Sequence, residues 1–112
     1  MDERLTLANA VAALAKAGGQ PYVSLFRHGT LEVEFYRPQK VDKQQPHKRD
    51  EVYVIISGEG YFKCDGRRQR FEPGEVLFVA AGIDHRFQEF TPDFAAWVFF
   101  YGPEGGERAG NV

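Results

Sequence analysis

Two histidines and one glutamate have the residue types and the spacing of a metal site. His47 and Glu51 are four positions apart, and His85 follows later in the chain. A spacing of four keeps both side chains on one side of a helix or of an extended chain, and Pro46 argues against a helix here. Two imidazoles and one carboxylate can occupy one triangular face of a divalent metal ion and leave the remaining positions open. The same three side chains are also compatible with ordinary polar residues at strand ends.

One helix and a series of short strands are predicted to position these residues. Residues 6–17 are rich in Ala and Leu, begin at a possible cap, Thr6, and end at a Gly-Gly pair, which predicts a helix. From Pro21 onward, β-branched and aromatic residues alternate with turn residues, and Asp65-Gly66 is the clearest two-residue hairpin turn. The pattern predicts an all-β sandwich or barrel. The predicted strands are 22–27, 31–37, 43–47, 51–57, 60–64, 67–71, 76–80, 85–90 and 94–101.

Length and composition limit the classes of function. A chain of 112 residues predicts a single domain over 1–112, with a flexible glycine-rich tail at 102–112. The net charge of −2 gives no general attraction to nucleic acid or to an anionic membrane, so neither is expected as a partner. A single cysteine and the lack of a signal-peptide pattern or a membrane-spanning segment favour the cytoplasm.

Three predicted strands are apolar on both faces. These are 52–56, 76–79 and 97–101, whereas a barrel strand with one wet face should alternate apolar and polar residues. One short helix is too small to cover them all. The pattern therefore predicts a homodimer that buries the outer faces of these strands.

Taken together, residues 45–58 and 74–89 resemble the two motifs of the cupin superfamily. Their spacing agrees with the family's histidine, glutamate and glycine, and then with glycine, glycine and histidine. The resemblance implies a cupin-type β-barrel, or jelly roll, with a short N-terminal helix, and it extends more loosely over 22–101. The matching residues are His47, Glu51 and Gly58 in the first motif, and Gly74, Gly82 and His85 in the second.

This chain departs from the family pattern at four positions. Gln45 stands where the first histidine is usual, Gln39 where a glycine is usual, Ala80 where a proline is usual, and Glu89 where an asparagine is usual. The resemblance thus implies one divalent ion (Fe, Mn, Ni or Zn) held by the two histidines and the glutamate named above. Gln45 would add an amide oxygen to that set, or hydrogen-bond a metal-bound water instead.

The function that the resemblance implies is a metal-dependent enzyme of dioxygenase or isomerase type that acts on a small organic molecule. A non-catalytic small-ligand binding or sensing protein, and a metal-free sugar epimerase or isomerase, are the alternatives. His28, Cys64 and the basic 63–70 hairpin are interpreted as structural or solvated residues. Strand parity predicts aromatic walls for the ligand cavity. The predicted wall residues are Tyr53, Phe87, Phe99 and Trp97.

Overall fold

Antiparallel strands and one short helix make up the fold in the computed structural model, which describes residues 4–108. Every predicted strand except 43–47 is present, with ends that differ by one or two residues. The elements are α1 (Leu7–Ala15), β1 (Tyr22–His28), β2 (Leu31–Tyr36), β3 (Asp50–Ser57), β4 (Gly60–Cys64), β5 (Arg67–Phe71), β6 (Val76–Val79), β7 (His85–Gln88) and β8 (Ala95–Tyr101).

The strands form two sheets around one main core. The five-stranded sheet has the order β1-β2-β8-β3-β6, and the three-stranded sheet has the order β5-β4-β7. Tyr53 and Ile55 from the large sheet pack in the same cluster as Phe62 and Phe87 from the small sheet. The arrangement confirms the predicted all-β barrel of the jelly-roll kind.

The N-terminal helix lies on the outer side of the five-stranded sheet. The side chain of Thr6 accepts a hydrogen bond from the backbone N–H of Asn9, which confirms the predicted cap. Ala10 packs against Phe35 and Ala95 in a second, smaller core cluster. The helix therefore covers part of the outer face, as its short length suggested.

Strand β3 faces the core with the parity that the sequence predicts. Glu51, Tyr53 and Ile55 are buried, whereas Val52 and Val54 on the alternate face are only half-buried. Glu51 is the first inward-facing residue of β3, and its position allowed the sequence to predict which face of the strand points into the barrel.

Strand β8 has the opposite parity to the one predicted. Trp97 packs against Phe35 in the outer cluster, and Phe99 pairs with outward-facing residues of the neighbouring strands. Val98 and Phe100 face inward instead and line the cavity described below. Because every side chain from Ala95 to Tyr101 is apolar or aromatic, no polar residue marks the outer face.

Residues 43–47 do not form the predicted strand. They belong to an irregular segment, 37–49, that crosses one end of the barrel between β2 and β3. Pro38 and Pro46 lack the backbone N–H that a strand would use, and the Asp42 side chain binds backbone N–H groups of the segment and of β7. This segment supplies one side of the site.

Gly58 allows the chain to turn sharply after β3. Its φ is +89°, and a Cβ placed there would lie 2.5 Å from the Cα of Phe94. Only glycine fits both the conformation and the space.

Part of the glycine-rich C-terminal segment is hydrogen-bonded to the barrel. The backbone N–H groups of Gly102, Gly105 and Glu107 donate to Thr30, Lys48 and Asp50, so residues 102–107 are held against the barrel. The last predicted tail residues, 109–112, lie outside the described part of the chain. No helix within residues 4–108 has the length and apolarity needed to cross a membrane.

Candidate metal centre

His47, Glu51 and His85 lie together at one end of the barrel interior. One possible ligand atom from each lies within 4.8 Å of the other two. Nε2 of His85 is 2.8 Å from Oε1 of Glu51, and Nε2 of His47 is 3.8 Å from the same oxygen. Glu51 begins the inward face of β3, His85 begins β7, and His47 comes from the irregular segment. The fold thus brings His85 to His47 and Glu51, which are 34 or more positions earlier in the sequence.

Glu51 is buried without the hydrogen bonds that a buried carboxylate normally has. Its side chain is 1% exposed, and neither oxygen has a hydrogen-bond partner among the described residues. The short contact with Nε2 of His85 becomes an ion pair only if that imidazole is protonated. A buried charge in this state is costly unless a cation or another ligand compensates it. The donor set therefore fits a divalent ion bound by two imidazoles and one carboxylate.

The hydrogen bond at one ring nitrogen determines the tautomer of His85. Its Nδ1 lies 2.9 Å from the carbonyl oxygen of Ile83, which can only accept, so Nδ1 carries a hydrogen. In the neutral ring, Nε2 then presents its lone pair to Glu51 and the centre of the site. Burial lowers the pKa of His85, but the adjacent Glu51 carboxylate and the Ile83 carbonyl outweigh that effect, and the pKa is raised.

His47 lies at the mouth of the site and is partly exposed. Burial is the main cause of its lowered pKa; Glu51 acts in the opposite direction and His85 adds to the lowering. Its ring also contacts Phe100 edge-on, with centroids 5.0 Å apart. The neutral form that metal binding requires is thus favoured near neutral pH.

A second polar network adjoins these three residues. Oε1 of Gln44 lies 3.0 Å from Nε2 of His47 and accepts a hydrogen bond of 2.9 Å from the Tyr53 hydroxyl. The amide nitrogen of Gln44 donates to Asp42 over 2.7 Å. Burial, and secondarily the charge of Glu51, raise the pKa of Tyr53 well above its ordinary value, so the phenol keeps its proton.

Gln45, the fourth residue predicted at the site, is placed differently from its neighbour. Gln45 is exposed at the cavity rim, whereas Gln44 makes the contact with His47. Sequence reasoning missed Gln44 and Asp42 because their roles depend on the path of an irregular segment. His28 is exposed at the end of β1 and is not a member of the cluster of His47, Glu51 and His85.

A cavity of about 870 Å³ opens beside the site. His47, Glu51 and Tyr53 line it, so a small molecule in the cavity can reach the site. Tyr53 is a wall residue as predicted, whereas Phe87 lies deep in the core, packed against Phe94.

A carboxylate that the sequence reasoning missed, Glu34, also lines the cavity. Burial is the largest cause of the rise of its pKa to about 7, and the charges of Glu32 and Glu51 add to it. Among the described residues, no side chain forms an ion pair or hydrogen bond with Glu34. In β2, Val33 and Phe35 are buried on the side opposite Glu32 and Glu34. This alternation of apolar and acidic residues could have predicted that Glu32 and Glu34 lie on the opposite face of β2 from Val33 and Phe35.

Comparison with known proteins places the chain in a family. The cupin domain family matches residues 32–101, which contain both predicted motifs and all three clustered residues. The protein belongs to the cupin family. The two antiparallel sheets and the positions of His47, Glu51 and His85 agree with that assignment.

Individual relatives are similar at moderate identity. An uncharacterized protein of Streptomyces coelicolor is 31% identical over 85 residues, which are 74% of this chain and 81% of that protein. A mannose-6-phosphate isomerase of Candida glabrata is 30% identical over 53 residues, 47% of this chain but 12% of that enzyme. A crystal structure of a Neisseria meningitidis protein superposes with a TM-score of 0.69 at 20% identity, over 89% of this chain and 100% of that chain.

Proposed function

We propose that this cupin binds one divalent transition metal ion through His47, Glu51 and His85 and acts as a metal-dependent isomerase on a small hydroxylated carbonyl compound. The observation that carries the proposal is the buried Glu51, which lacks a hydrogen-bond partner and lies beside two imidazole nitrogens at a ligand-sized cavity. When bound, the ion would supply a Lewis acid that polarises a substrate carbonyl.

Glu34 provides the proton-transfer group that an isomerase needs. It lines the same cavity, carries no competing ion pair among the described residues, and its pKa of about 7 suits proton exchange near neutrality. In the proposed reaction, the carboxylate removes a proton from the hydroxyl-bearing carbon beside the carbonyl, and a proton is returned to the former carbonyl carbon. The hydroxyl proton moves to the former carbonyl oxygen, so the atoms balance and no oxidant is consumed.

Cations in the cavity favour a substrate with an anionic group. Arg37 lines the cavity, and its Nε is buried without a hydrogen-bond partner. Lys43 and Lys48 line it as well and are exposed. An arginine in this state is well suited to bind a phosphate or carboxylate. The similarity to a mannose-6-phosphate isomerase supports a sugar phosphate as the first substrate to test.

A dioxygenase is the second candidate, because two histidines and one carboxylate on one face also suit an iron site that reacts with oxygen. Oxygen consumption separates the two reactions, since isomerisation uses none. Turnover that survives complete chelation would instead support the metal-free isomerase. Ligand binding without turnover would support a binding or sensing protein.

Elemental analysis of protein purified without a histidine tag or added metal tests the proposal. We expect about one equivalent of a transition metal in the wild type and a sharp loss in His47→Ala and His85→Ala, because each removes one of three protein ligands. His28→Ala is the matched control and should retain the metal. Full occupancy in both site variants would refute the assignment.

We further propose that the protein is a homodimer. Val76 and Phe78 on the edge strand β6 are 64% and 54% exposed, next to the half-buried Val52 and Val54 of β3. An apolar surface at a sheet edge is suited to burial against a second copy.

Sedimentation equilibrium of the 12.7 kDa chain should give twice the monomer mass. The Phe78→Glu variant should sediment as the monomer, whereas the control variant Glu72→Gln should remain a dimer. A wild-type monomer at high micromolar concentration would contradict this.

A further inference from the structure

Gln44 is held in one orientation by two different neighbours. Its amide nitrogen donates to the Asp42 carboxylate over 2.7 Å, and the carboxylate can only accept. The amide oxygen must therefore face the opposite way, where it accepts from the Tyr53 hydroxyl over 2.9 Å. The nitrogen and oxygen of a side-chain amide look alike, but here the hydrogen-bonding partners show that the oxygen of Gln44 faces the site.

The oxygen of Gln44 lies at the distance from His47 that two ligands of one ion have. Two atoms that bind an ion at about 2.0–2.2 Å with a right angle between them are about 3 Å apart. Oε1 of Gln44 and Nε2 of His47 are 3.0 Å apart, and Nε2 of His85 and Oε1 of Glu51 are 2.8 Å apart. Oε1 of Gln44 thus lies beside one of the three clustered ligand atoms, at a separation that two ligands of one ion have.

Asp42 fixes this arrangement from outside the cluster. It is 2% exposed and accepts from the Tyr36 hydroxyl on β2 over 2.6 Å and from the backbone N–H of Phe87 on β7 over 2.8 Å. It also accepts from the backbone N–H of Gln44 over 3.1 Å. These bonds attach the irregular segment to both sheets and set the position of the Gln44 side chain.

We propose that Gln44, and not Gln45, supplies the fourth protein donor of the metal site, and that Asp42 is the positioning residue that turns its amide oxygen toward the ion. This inference rests on the proposed metal function. It assigns to an irregular segment a donor that the sequence motif would place one residue later, at an exposed side chain.

The experiment measures Co²⁺ affinity of the metal-free protein by competition with a chelator, together with the visible absorption spectrum of the Co²⁺ form. We expect Gln44→Leu to weaken Co²⁺ binding about tenfold or more and to change the spectrum, because an oxygen donor is lost. Gln45→Leu is the matched control, with the same substitution at the adjacent residue, and should leave both readouts unchanged.

Gln44→Ala is the second variant, and it should match Gln44→Leu in both readouts if oxygen loss, and not altered packing, is the cause. Asp42→Asn should also weaken Co²⁺ binding while Gln44 is still present, because an amide at 42 no longer fixes the orientation of the Gln44 oxygen. Circular dichroism confirms that each variant is folded under the conditions of the assay.

The outcomes separate this inference from the proposed function. If the wild type binds Co²⁺ but both Gln44 variants match it in affinity and spectrum, the Gln44 assignment is wrong while the metal site stands. If Gln45→Leu is the variant that loses affinity, the donor is Gln45 and the inference is likewise overturned. A wild type that binds no Co²⁺ refutes the metal function itself, and the inference with it.

Discussion

Two carboxylates are buried at the same end of the barrel, and their surroundings differ completely. Asp42 accepts hydrogen bonds from four donors, two of them on Gln44 and one each on Tyr36 and Phe87. Glu51 has no hydrogen-bond partner among the described residues, although it is buried to the same extent. Both residues are removed from water, so burial alone does not distinguish them.

The difference separates a structural carboxylate from one that is suited to a ligand. Four donors compensate the desolvation of Asp42, and the bonds stabilise the irregular segment. The unsatisfied oxygens of Glu51 lower stability in the absence of a ligand, which is a common property of functional sites. Removing the Asp42 carboxylate should therefore mainly reduce stability, whereas removing the Glu51 carboxylate should mainly reduce metal affinity.

The largest expected effect on stability is that of Asp42→Ala. The substitution leaves the Tyr36 hydroxyl, the buried backbone N–H of Phe87 and the part-buried backbone N–H of Gln44 without their acceptor. The loss should reduce the free energy of unfolding by about 3–5 kcal/mol. Urea denaturation of the metal-free protein measures it. A loss below about 1 kcal/mol would show that Asp42 does not stabilise the segment.

The next effect is on binding and not on folding. Glu51→Gln should reduce Zn²⁺ affinity about 100-fold or more, since it removes the only anionic ligand. The free energy of unfolding of the metal-free protein should change by less than about 1 kcal/mol, because the lost contact with His85 is offset by removal of a buried charge without donors. Isothermal titration measures the Zn²⁺ affinity, and urea denaturation measures the free energy of unfolding. A large destabilisation by Glu51→Gln would show that Glu51, like Asp42, stabilises the fold.

The smallest effect concerns pH and Glu34. Its pKa is raised from 4.5 to about 7 by burial and by Glu32 and Glu51, against Arg27 and Arg49, which lower it. Between pH 4.5 and about 7, the Glu34 side chain therefore stays protonated in the folded state but ionises in the unfolded state. The stability that protonated Glu34 contributes is fully present below pH 4.5 and is lost as the pH rises through 7. Between pH 5 and pH 8, wild type should lose about 2 kcal/mol relative to Glu34→Gln.

Urea denaturation of both proteins at the two pH values isolates the contribution of Glu34, because the other titrating groups are common to both. Equal pH dependence would mean that Glu34 is solvated and ionises normally. In that case, its proposed role as the proton-transfer group would lose its support.

The local sequence was informative wherever a polar residue or a glycine marks a face or a turn. Thr6 caps the helix, Asp65-Gly66 makes the hairpin turn with positive φ at both residues, and Glu51 marks the inward face of β3. Strand β8 lacks such a mark, and its predicted parity was wrong for Trp97 and Phe99.

Motif spacing and strand alternation are local properties of the chain, so they sufficed to predict the family, the all-β fold and the three residues that cluster at the site. Which glutamine faces His47 could not be predicted in this way, since residues 37–49 have no periodicity and follow a path set by the bonds of Asp42 to two different sheets. The same holds for the cavity that Glu34 shares with Glu51. Both facts depend on contacts between segments distant in the chain, and desolvation and hydrogen bonding at such contacts are absent from the local pattern.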